Sequence, residues 1–193
     1  MSWFACPRSG PLLAGALLVG LGSSVYWTFA VDLVAGDGAM SASAARLVLA
    51  GVGAASLIGA FSGDLVERIG ARPTIVAGAI ALAASLVLIA IAPGSWFAVA
   101  PSALLFGAAY NVLIAVDVIW SARVFAGRPA TGLAAVMFML ATGLLAGPAL
   151  AGIAATHLGL PAAFLGGAAV IGATAFLIPR EELRHRAALS PAA

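Results

Sequence analysis

The chain has 193 residues, of which 63% are hydrophobic and 8% charged, and a formal net charge of +2. A water-soluble domain carries roughly 25% charged residues and needs them to cover its surface, so this composition excludes an ordinary soluble fold. The lone cysteine, Cys6, excludes an internal disulfide and a cysteine metal site, and the small positive charge gives no support for a nucleic-acid partner.

Six apolar stretches follow one another along the chain: 12–35, 44–62, 73–92, 97–121, 131–155 and 162–178. Each approaches or exceeds the roughly 20 residues a helix needs to cross a ~30 Å hydrocarbon core. No water reaches that depth to satisfy the backbone, and a closed barrel would show short alternating segments instead. The predicted fold class is therefore an all-α polytopic membrane protein with six transmembrane helices.

The breaks carry turn-forming residues. Gly36 to Gly38 end the first span, Gly70 to Pro73 separate the second and third, and Pro93 with Gly94 close the third. Gly127 to Pro129 precede the fifth, His157 to Pro161 precede the sixth, and Pro179 stops it. Short connections predict antiparallel neighbours. Residues 1–11 and 179–193 read as polar-flanked ends, and Met1 to Gly10 lack the pattern of a removable signal peptide.

All nine basic residues are arginine, and eight fall on one side of a six-span arrangement: Arg8, Arg68, Arg72, Arg123, Arg128, Arg180, Arg184 and Arg186. Only Arg46 falls on the other. The positive-inside bias then places both termini in the cytoplasm, and the bilayer expected is the cytoplasmic (inner) membrane of a bacterium.

Polar residues inside the spans are the candidates for a solute pathway. In the first, Ser24, Thr28 and Asp32 recur every four residues, bordered by Ser23, Tyr26 and Trp27. In the fourth, Tyr110, Asp117 and Ser121 share one helical stripe with Asn111 beside it. An aspartate at mid-membrane costs about 2.5–3.5 kcal/mol on insertion scales, so Asp117 should not face lipid. Bland readings stand beside these. Asp32 is near its helix end and could be solvated at the interface, Asp117 could pair with Arg123, and Tyr26, Trp27, Trp96 and Trp120 could be packing or interfacial aromatics. His157 and His185 fall in an external loop and the tail, away from any proton relay. No nucleophile with a neighbouring base and no phosphate-binding loop is present, so neither an enzyme nor a cofactor is indicated.

One connection is sharper than the rest. The stretch Gly63-Asp64-Leu65-Val66-Glu67-Arg68-Ile69-Gly70-Ala71-Arg72 resembles the loop between the second and third helices of each half of the major facilitator superfamily. Gly63, Leu65, Arg68, Gly70 and Arg72 match, Glu67 replaces an aspartate, and Ala71 replaces a basic residue. In the fifth span, Gly143, Gly147, Pro148 and Gly152 resemble the family's glycine and proline motif. The physical roles expected are a close helix end at Gly63, a tight turn at Gly70, and a packing strip with a kink at Pro148; Glu67, Arg68 and Arg72, paired with each other or with a helix end, are expected to latch the cytoplasmic side, the conformational gate that the resemblance implies. A purely topological role for the arginines, and plain helix packing for the glycines, are the competing readings.

The resemblance covers one six-helix half of a family member, and the polar tail after the sixth span is most like a C-terminal half. It implies alternating-access transport of a small solute, with a proton as a candidate co-substrate. It also implies that the first and fourth helices line the cavity, and that a second six-helix half or a homodimer completes the site. A fragment, a split-gene product or an inactive truncated copy, and a non-transporting structural or assembly role in the membrane, remain the alternatives.

Overall fold

The computed structural model describes residues 9–177. Cys6, Arg8, Ile178 and the whole tail with His185 lie outside them. Within them the chain is all-helical: α1 is Gly10–Ala35, α2 Ala42–Ser56, α3 Ser62–Ile69, α4 Ala71–Ile91, α5 Trp96–Val124, α6 Pro129–Leu158 and α7 Leu160–Leu177. A 3-10 turn, Leu57–Phe61, joins α2 to α3 without a break, so the second candidate span runs over Ser43–Ile69 and the described residues hold six in all.

Local chemistry sets the ends. Pro11 and Pro129 sit in the first turns of α1 and α6, where a missing N–H costs nothing. Ser41 caps α2 by accepting from the Ala44 amide at 3.2 Å. Gly70 and Gly159, at φ of 91° and 86°, take the left-handed conformation that ends one helix and begins the next within a single residue.

Two expectations change here. The stretch from Gly63 to Ile69 is helix rather than loop, and only Gly70 breaks it. Asp64 in the first turn and Arg68 in the last both complement the helix dipole, and no proline intervenes. Helices α5 and α6 also overrun their apolar windows, because hydropathy marks the hydrocarbon depth while the helix continues into the interface.

Helix α1 is the hub. It runs parallel to α6 and against α7, with backbones in near contact: a methyl on Gly20 would strike the Leu140 carbonyl, and one on Gly143 would lie 2.6 Å from the Leu21 nitrogen. On the other flank a methyl on Gly22 would come within 2.7 Å of the Gly167 carbonyl. Lipid tails are as apolar as leucine, so close backbone packing replaces the hydrophobic effect as the force between helices. Helix α4 packs on α5 and α7, and α2 on α5. Large apolar side chains such as Phe97, Leu145 and Phe176 point outward, as a lipid solvent requires.

Candidate functional site

The polar stripe of α1 splits between core and surface. Ser24 is buried and its hydroxyl donates to the Leu21 carbonyl at 2.7 Å, while Ser23 donates to Gly20 at 3.3 Å. Thr28 and Asp32 are exposed on the bundle face. Their neighbours Tyr26 and Trp27 part ways: Tyr26 is fully buried and Trp27 is 43% exposed.

An aromatic cluster ties this face to α5. Phe106 stacks on Tyr26 at 4.0 Å between centroids and on Tyr110 at 5.7 Å. Trp27 meets Phe106 and Tyr110 edge-on at 5.4 and 5.7 Å, and Tyr26 also meets Phe164 of α7 edge-on at 6.1 Å. Edge-to-face and offset stacks of this kind add to simple burial. The Tyr26 hydroxyl lies 3.0 Å from that of Ser102, which donates to the Ser85 carbonyl on α4 at 2.7 Å. Sequence reasoning missed Phe106 and Ser102. The signal was there, because they lie four and eight residues before Tyr110 on the same stripe.

Asn111 does not present its amide group to the surface. Its Nδ2 donates to Ser56 Oγ at 2.9 Å and to the Gly107 carbonyl at 3.0 Å. Ser121 is buried and donates to Val118 at 2.8 Å. Asp117 is buried, at 7% exposure, and makes no hydrogen bond or ion pair among the described residues. The pairing with Arg123 is therefore not formed. Six residues of helix turn the two side chains about 120° apart, and Arg123 is exposed.

The mutual pairing expected among Glu67, Arg68 and Arg72 is likewise not formed, whereas Arg68 does sit at a helix end, in the last turn of α3. Asp64, Leu65, Glu67 and Arg68 are exposed, and no ion pair joins Glu67, Arg68 and Arg72 among the described residues. Glu67 and Arg68 are sequence neighbours, which a helix points about 100° apart, and Arg72 lies beyond the Gly70 turn on α4. Arg72 is half-buried, and its Nε is buried without an acceptor. Asp64 and Arg68, one turn apart, instead line a recess of about 330 Å³ with Ile58, Phe61, Ser62, Leu65 and Val112. Gly63 has open space around it, so no helix approaches it closely.

The fifth-span glycines divide in the same way. A methyl on Gly147 would strike Ser24 Oγ and lie 2.7 Å from the Leu21 carbonyl, whereas one on Gly152 would meet nothing within 4 Å. Pro148 sits within the continuous helix α6. His157 is exposed in the last turn of that helix.

Compared with known proteins, residues 12–191 match the Major Facilitator Superfamily. No curated protein matches the chain.

Proposed function

Because the chain belongs to the major facilitator superfamily, a family of membrane transporters, we propose that it moves a small solute across a bilayer by alternating access, acting as one six-helix half beside a second. That second half is another six-helix unit or a second copy of this chain. The arginine bias supports a bacterial inner membrane with both termini in the cytoplasm, and a proton is the co-substrate that the acidic residues of α1 and α5 would suit.

The observation that carries this reading is the exposed face of α1. Thr28 and Asp32, with the rim of Trp27, are exposed within a membrane-spanning helix. Lipid against that face would hold the Asp32 carboxylate one turn inside the end of α1 at Ala35, at a cost that grows with its depth in the bilayer. A water-filled cavity between two halves removes that cost, and it is where transporters of paired repeats bind their substrates. Tyr110, on α5, adjoins this face through its contact with Trp27. Asp117, two turns further along the same stripe toward the C-terminal end of α5, is the candidate for proton handling.

The test is accessibility by depth. Cysteines at Thr28 and Asp32, with Cys6 replaced, should react with a water-soluble thiol reagent in membranes, and a cysteine at Leu104 or Phe138, both exposed and apolar, should not. Equal silence at all four positions would place Thr28 and Asp32 against lipid or protein and remove the cavity. Uptake screens in proteoliposomes, run with and without a co-expressed six-helix half, then identify the solute.

A further inference from the structure

We propose that the second membrane span is hinged at the 3-10 turn Leu57–Phe61, with Asn111 as the positioning residue at its fulcrum, so that the arm Ser62–Ile69 swings against α5. Four observations converge on this point. The span changes from α to 3-10 geometry for five residues in mid-course, longer than the usual run of three or four, and it does so with no proline to force it. Such stretches have weaker hydrogen bonds and bend more readily than α-helix.

The change begins at the residue that Asn111 holds. Ser56 is the last residue of α2; its hydroxyl donates back to the Val52 carbonyl at 2.9 Å while accepting from Asn111 Nδ2 at 2.9 Å. Back-bonding by serine loosens the local helix, and the amide fixes the loosened point to α5. Asn111 is itself held to its own helix through Gly107, whose absent side chain lets the α2 backbone at Val52 come into contact. On the outer side of Ser56, therefore, the span is bound tightly to α5.

Immediately beyond, the 3-10 turn leans on the same residue. A methyl on Gly59 would lie 2.6 Å from Asn111 Cβ, so the backbone rests directly on the fulcrum. Past that contact the arm packs less closely on α5 than α2 does. Of the arm's eight residues only Ser62 and Val66 are buried, and the recess of about 330 Å³ lies between the arm and Val112 of α5, one residue after Asn111. The arm thus has both a pivot and a space to enter, and the positive φ of Gly70 ends the helix at its far end, before α4 begins. Asp64, Glu67 and Arg68 ride on it, so a swing carries these charges toward or away from α5.

With a length of about 12 Å, a ~20° bend moves the arm's tip by about 4 Å. Use of this motion in transport rests on the functional reading above; the motion itself does not. The experiment is a spin-label distance measurement on the full chain in lipid, with Cys6 replaced. One label pair, at Glu67 and Phe176, spans the arm and α7; a control pair, at Arg46 and Leu158, sits at the opposite end of the bundle. Asn111→Ala should shift or broaden the arm distance by a few ångströms and leave the control unchanged. Ser56→Ala, which removes the acceptor for Asn111 together with the back-bond to Val52, should do the same and decides the matter if the first variant does not accumulate. An unchanged arm distance in both variants, or equal shifts in both pairs, would overturn the hinge. A chain that transports with a fixed arm would reject the hinge alone, whereas a moving arm in a chain that carries no solute would reject the transport reading alone.

Discussion

The hydroxyl of Tyr26 on α1 lies 3.0 Å from that of Ser102 on α5, and Ser102 donates its own hydrogen bond to the Ser85 carbonyl on α4 at 2.7 Å. One polar chain thereby crosses three helices in the buried centre of the bundle. With its ring stacked on Phe106, Tyr26 is a structural pin, and the exposed Trp27 beside it belongs to the candidate cavity.

Tyr26→Phe should cost about 0.5–1.5 kcal/mol, since the Ser102 hydroxyl keeps its acceptor. Ser102→Ala should cost more, about 1–3 kcal/mol, because it leaves the buried phenol without a partner. Thermal unfolding in detergent checks the order of the two. Equal midpoints for Ser102→Ala and the parent chain would show that the bond contributes nothing.

Gly147→Ala and Gly143→Ala should each destabilise the bundle by about 1–3 kcal/mol, the usual cost of overpacking, because their new methyls meet the α1 backbone. Gly152→Ala should be neutral or slightly stabilising, since its methyl meets open space. The same unfolding assay separates them, and a Gly152 variant as unstable as the Gly147 variant would contradict this packing.

Asp117→Asn should leave the unfolding midpoint unchanged or raised. A buried carboxylate with no cation beside it gains little from its charge, whereas breaking a real ion pair typically costs 3–5 kcal/mol. A drop of that size would reveal a partner the described residues do not show. Arg123→Gln should be silent in the same assay.

Cysteines at Ala39 and His157 should label with an impermeant reagent from outside the cell, and one at Gly127 only after permeabilisation, with Cys6 replaced. Gly94 is a poor reporter, because a side chain there would lie 2.7 Å from the Gly38 carbonyl. The reverse pattern would invert the orientation read from the arginines.

The sequence alone determined the six spans, the helical class, the family resemblance and the turn at Gly70, since each rests on a signal that burial does not alter: apolar length, glycine and proline positions, or motif spacing. It also found both polar stripes, because periodicity fixes the angles between residues on one helix. It could not fix how each helix is rotated in the bundle. In a soluble protein the polar face would point to water and settle the rotation, but here lipid and core are equally apolar, and the polar stripe of α1 itself divides between core and surface. Only tertiary packing therefore turned Tyr26 inward and left Trp27 outside, set Gly147 against Ser24 while leaving Gly152 open, and spent the Asn111 amide on Ser56. The charges of α3 were misplaced for a related reason. Polar residues after an apolar run mark the membrane boundary, and a helix that crosses the boundary keeps its backbone bonds on both sides of it.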